Sequence, residues 1–107
     1  VLRVRIAPGY HLLAAGGNAD MPGLTAFHIG VFGASGLGVF ADYPAGANYG
    51  PDGELRVYAG EFDLPIILEQ TGPVTGRPVL VVRFQPCTDE YCLAARTLEL
   101  DLAIDTE

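Results

Sequence analysis

The sequence predicts an all-β domain, a sandwich of about eight short strands. Three observations predict it. Short runs alternate apolar with polar residues, as at Leu2, Val4 and Ile6 against Arg3 and Arg5, the period-2 signature of a half-buried strand. The runs are punctuated by 14 glycines and 8 prolines, the composition of many tight turns. No stretch carries helical periodicity of useful length, and there is no internal repeat or low-complexity tract. At 107 residues the chain is one domain, large enough to bury a single core.

The elements follow in order. Residues 1–6 form the first strand, and Ala7-Pro8-Gly9 turns the chain into a second at residues 10–14. Residues 16–23 are a loop by composition. Two strands are expected at residues 25–32 and 37–43, split by Gly33-Ala34-Ser35-Gly36. Residues 44–53 are the longest irregular stretch, with one exposed aromatic, Tyr49. Residues 55–58 and 61–68 read as a hairpin through Ala59-Gly60, with Pro65 marking an edge or a bulge. Residues 70–78 read as a turn-rich connection, and residues 79–84 are β-branched and apolar. The last strand alternates Leu98, Leu100, Leu102 and Ile104 with Glu99, Asp101, Ala103 and Asp105.

A net charge of −7, no lysine and six scattered arginines argue against nucleic acid and anionic membrane surfaces, which attract basic patches. No segment reaches the roughly 18 continuous apolar residues of a membrane span. No leader-like region opens the chain, and Val1 starts directly in strand alternation, so the chain reads as an excised or processed piece.

The chemistry concentrates in Phe84-Gln85-Pro86-Cys87-Thr88-Asp89-Glu90-Tyr91-Cys92-Leu93, which holds both cysteines at the ends of a loop between two strands. Three chemistries suit such a pair. A structural disulfide closing so small a loop removes little chain entropy, about 2 kcal/mol. Zinc held with His11 and His28 is disfavoured, because neither histidine has finger-like spacing. Reversible thiol–disulfide exchange needs two close thiols, an exposed sulfur and an attacking partner. Spacing alone leaves the structural and redox readings level. Asp89 and Glu90 disfavour a thiolate, and no Lys, Arg or His lies between the cysteines, so the pair is expected to be a sluggish nucleophile without a partner. There is no Gly-x-Ser-x-Gly elbow and no metalloprotease motif for a hydrolase.

Several of these features occur together in one family. The Pro8-Gly9-Tyr10-His11-Leu12 turn and strand, Tyr43-Pro44, Tyr58 followed by Phe62-Asp63-Leu64-Pro65-Ile66, and the Phe84-Gln85-Pro86-Cys87…Cys92 loop run in order along nearly the whole chain. In this the chain resembles the N-terminal periplasmic domains of the DsbD family of thiol:disulfide interchange proteins. The aromatic-Gln-x-Cys…Cys piece is the specific part. The resemblance implies an immunoglobulin-like sandwich that relays electrons as a protein-disulfide reductase module, with no cofactor. It further implies a periplasmic or otherwise extracytoplasmic site within a membrane-anchored protein. The donor would be a thioredoxin-like domain, and the acceptors extracytoplasmic thiol–disulfide proteins such as an isomerase or a thioredoxin of cytochrome c biogenesis.

By motif position Cys92 resembles the cysteine that forms the mixed disulfide, Cys87 the resolving one, and Tyr49 the aromatic of a cap loop that shields the pair. Ala94-Ala95 stands where the family often has two prolines. Tyr10 and His11 are candidates for the cysteine rim, where a hydroxyl or imidazole can hydrogen-bond a thiolate; the plainer reading is a strand with one solvent-facing histidine. Asp89 and Glu90 are solvated turn residues that tune the thiols, and His28 is assigned nothing. Two other classes stay open: an immunoglobulin-like interaction module with an inert hairpin disulfide, and a carrier of metal or of apo-protein thiols.

Overall fold

The computed structural model describes residues 1–15, 24–50, 53 and 55–102. These residues build an all-β sandwich with no helix. In the described residues there are nine strands in three antiparallel groups. β1 (Leu2–Arg5) pairs with β6 (Glu61–Leu64). A four-stranded sheet runs β4 (Ala47–Tyr49), β5 (Leu55–Tyr58), β2 (His11–Leu13), β8 (Pro86–Cys87). A three-stranded sheet runs β3 (His28–Ala41), β7 (Ile66–Phe84), β9 (Arg96–Asp101).

The core lies where the groups face one another. Leu12 and Tyr58 reach it from the four-stranded sheet, Ile29, Leu80 and Val82 from the three-stranded sheet, and Leu64 from β6. Phe27 sits between them, with edge-on contacts to Tyr58 at 5.7 Å, Phe62 at 5.9 Å and Tyr43 at 6.2 Å. Burying a ring this fully is worth about 1.5–3 kcal/mol. The two core tyrosines keep their hydroxyls bonded: Tyr43 accepts the Ile29 amide at 3.1 Å, and Tyr58 donates to the Pro44 carbonyl at 2.6 Å.

Three local expectations are corrected. The residues around Gly33 and Gly36 do not divide two strands; β3 runs through them as one strand, with register shifts at both glycines. Gly33 and Gly36 adopt φ of 80° and 82°. A Cβ on Gly33 would stand 2.6 Å from the Arg77 carbonyl oxygen, and one on Gly36 would strike that of Pro73. Glycine there bulges the ribbon without ending it. For the same reason residues 70–78 are not a connection: they lie inside β7, with Gln70, Thr75 and Gly76 paired to β3. The expected hairpin between residues 55–58 and 61–68 does not form. β5 pairs with β2 and β4 and β6 with β1, so Ala59-Gly60 carries the chain from one group to another. Pro65 does break the run, separating β6 from β7. The irregular stretch after Pro44 contains the short strand β4.

Candidate functional site: a disulfide cleft on the outer face of the four-stranded sheet

The cysteine loop is the connection of the β7–β9 hairpin, whose last pair is Phe84 with Arg96. Between these strands the chain leaves its own sheet. Pro86 and Cys87 form β8 and pair with Leu12 and His11 of β2. The loop therefore bridges the two large sheets, and this crossing fixes where the sulfurs stand.

Side-chain alternation then selects the face. Along β2, Leu12 points into the core, so His11 and Leu13 point outward. Their register partners share that face: Cys87 opposite His11, Val57 opposite Leu13, and Tyr49 opposite Leu55 on the neighbouring pair. Together with the loop residues they line an open cleft of 210 Å³ around the disulfide.

Cys87 and Cys92 are joined in this cleft, with Cα atoms 3.9 Å apart. Cys87 is 9% exposed, whereas Cys92 is exposed to solvent. The loop holds itself in shape by other bonds as well. The Thr88 amide donates to the Tyr91 carbonyl at 2.7 Å, and the Leu93 amide to Pro86 at 2.8 Å. The Thr88 hydroxyl accepts the amides of Glu90 and Tyr91, each at 3.1 Å. Gln85 ties the base of the loop: its Oε1 accepts the Thr25 amide at 2.8 Å, and its Nε2 donates to the Leu93 carbonyl at 3.0 Å.

Tyr49 closes one side of the cleft. Its ring lies 4.3 Å from the His11 ring, centroid to centroid, and its hydroxyl donates to the Asp89 carboxylate inside the cysteine loop. That hydrogen bond, with a smaller contribution from the nearby negative charge, holds the Tyr49 phenol above its ordinary value. The bond anchors the β4 loop to the loop that carries the sulfurs.

The candidate residues thus divide. Cys87, Cys92, Tyr49, His11, Asp89 and Glu90 all border one cleft. Tyr10 does not line it. It lines an apolar groove instead, while a side-chain hydrogen bond between its hydroxyl and that of Tyr91, a residue of the cleft, raises the Tyr91 phenol. His28 lies exposed on β3, in the other large sheet. Among the described residues no three His, Cys, Asp or Glu side chains gather as metal ligands. Tyr91 was not singled out from the sequence; Thr88, three residues before it, carries the signal of a side-chain-capped turn. Comparisons with protein-family models, with curated proteins and with solved structures each returned no match, so residues and geometry carry the functional argument.

Proposed function

We propose that this domain is a thiol:disulfide exchange module that passes reducing equivalents through the Cys87–Cys92 couple. The observation that carries the reading is the asymmetry of the disulfide: one half buried against β2, the other open to solvent, in a cleft flanked by an aromatic side chain. Exchange requires in-line approach of a partner thiolate to one sulfur, and the exposed Cys92 offers that approach. The small loop agrees. A disulfide closing it adds little stability, and Gln85, Thr88 and the loop's backbone bonds already hold the turn.

In reduction, a donor thiolate attacks Cys92 Sγ, the Cys87–Cys92 bond breaks, and its electron pair leaves on Cys87. The donor's second thiol then attacks the mixed disulfide and releases Cys92, leaving both cysteines reduced. In the forward transfer, reduced Cys92 attacks an acceptor disulfide, and Cys87 resolves the mixed disulfide. Tyr49 acts as the cap that a docking partner displaces. The resemblance to the DsbD family supplies the partners of this reading: a thioredoxin-like donor and extracytoplasmic acceptors. An exposed disulfide suits such an oxidising compartment.

Trapping tests the roles. Cys87→Ser is expected to accumulate a mixed disulfide with an acceptor protein through Cys92, and Cys92→Ser to accumulate none. Trapping through Cys87 alone would reverse the assignment. The equilibrium potential against a glutathione series tests the function. A value of about −180 to −270 mV supports exchange, and one below about −300 mV marks an inert structural disulfide.

A further inference from the structure

We infer that His11 carries the proton of Cys87 during exchange, taking it when Cys87 resolves a mixed disulfide and returning it when Cys87 leaves as a thiolate. The inference rests on the exchange reading above and names a residue which that mechanism does not use. Its basis is register. His11 and Cys87 are directly opposed in the antiparallel β2–β8 pair. Directly opposed residues project to the same face, with Cβ atoms about 4.5–5.5 Å apart. Both side chains line the same cleft, which confirms the shared face. The placement comes from backbone pairing, so it persists when the disulfide opens.

The chemistry calls for such a group. Cys87 is nearly buried, and a buried thiolate is costly unless its proton has somewhere to go. The titratable groups facing His11 come from two elements: Tyr49 on β4, and Asp89, Glu90, Tyr91 and the two cysteines of the loop. The carboxylates are poor carriers, since an ordinary Asp or Glu titrates roughly four units below a thiol. Asp89 is in addition engaged by the Tyr49 hydroxyl. A phenol titrates above a thiol and does not accept its proton near neutrality. Imidazole alone among these exchanges protons between about pH 5 and 8. The Tyr49 ring, 4.3 Å away, holds the imidazole against the sheet.

The steps balance. A donor thiolate bonds to Cys92 Sγ, the disulfide electron pair goes to Cys87 Sγ, and the imidazolium hands that sulfur its proton, leaving a thiol and a neutral imidazole. In the other direction neutral His11 takes the Cys87 proton. The sulfur then attacks Cys92 of the mixed disulfide, and the acceptor departs as a thiolate.

The test follows the resolving step itself. The reduced domain is mixed with oxidised glutathione, quenched with acid at intervals, and the decay of the Cys92–glutathione adduct is read by mass across the pH range. In the wild type the decay rate is expected to bend between about pH 5 and 8. His11→Gln is expected to lose that bend and to resolve roughly tenfold or more slowly near neutrality. His11→Phe, which keeps a ring against Tyr49, is expected to behave as His11→Gln does. An unchanged profile in both variants overturns the inference while leaving exchange intact. A slowing equal at every pH also overturns it, since that marks a packing role. Failure of oxidised glutathione to convert the wild-type dithiol either to the adduct or to the Cys87–Cys92 disulfide would remove the exchange reading and this inference with it.

Discussion

Leu80 and Leu100 face each other across β7 and β9, and so do Val82 and Leu98. All four project from the inner face of the three-stranded sheet. Leu80 and Val82 are 4% and 5% exposed, yet Leu98 and Leu100 are 52% and 41% exposed. The opposing layer covers β7 and stops short of β9, where Leu98 and Leu100 line an open apolar groove of 570 Å³ with Leu2 and Val4 of β1 and with Ile6 just after it. Alternation thus identifies the face a side chain shares but not whether another layer lies over it. The cysteine loop, one turn away on the same hairpin, shows the opposite case: its backbone crosses to the other large sheet, and there Cys87 is buried while Cys92 stays exposed.

The largest effect is expected from the covered half of this comparison. Leu80→Ala should cost about 2–5 kcal/mol, from lost burial and the cavity left behind. Leu100→Ala, on the same face one strand away, should cost below about 1 kcal/mol. Urea denaturation of both variants measures the difference directly. Equal losses would mean that the groove is filled in solution and that β9 is as well covered as β7.

A middle effect tests whether the loop stands on its own bonds. Gln85→Ala removes an acceptor from the Thr25 amide and a donor from the Leu93 carbonyl, both partly buried. Leaving such groups unpaired should cost about 1–3 kcal/mol. Reduction of the disulfide in the wild type should cost no more than about 2 kcal/mol, the closure entropy of so small a loop. If reduction proves the costlier change by denaturation, the disulfide is a structural staple and the exchange reading weakens.

Much of the architecture was legible because strands reveal themselves locally. β1, β2 and the β7–β9 hairpin fall where the alternation of Leu2, Val4 and Ile6, the Tyr10–Ala14 run and the Leu98–Leu100 pattern place them. Glycine and proline mark departures from a regular strand, but not what kind. In β3 and β7 they make bulges inside a long ribbon, because Gly33 and Gly36 take left-handed conformations against carbonyls of the facing strand. Ala59-Gly60 does turn the chain, but towards a different sheet, and no local pattern carries that information. The site divides in the same way. Cys87, Cys92, Asp89 and Glu90 are contiguous and were visible at once. That no histidine lies between the cysteines is true along the chain and misleading in space, since the register of β2 against β8 sets His11 opposite Cys87. Tyr10 is the converse: adjacent to His11 in sequence, it lines the apolar groove and not the cleft.

The smallest expected effect concerns the contact between Tyr49 and Asp89. Tyr49→Phe keeps the ring on His11 and removes only the hydroxyl that donates to the carboxylate. Reduction of the disulfide by a phosphine, which needs no thiolate, should then quicken by roughly twofold to tenfold, the factor one modest hydrogen bond corresponds to. The same contact gives a pH dependence whose sign is fixed. The neutral phenol donates and the phenolate cannot, and the folded-state value lies above the ordinary 10.0. The contact is therefore fully present below about pH 10 and is lost as pH rises through the raised value. Wild-type phosphine reduction should climb over that interval towards the rate of Tyr49→Phe, which itself stays level. If the two rates coincide at neutral pH, the hydroxyl does not restrain the cap, and any shielding of the sulfurs comes from the ring alone.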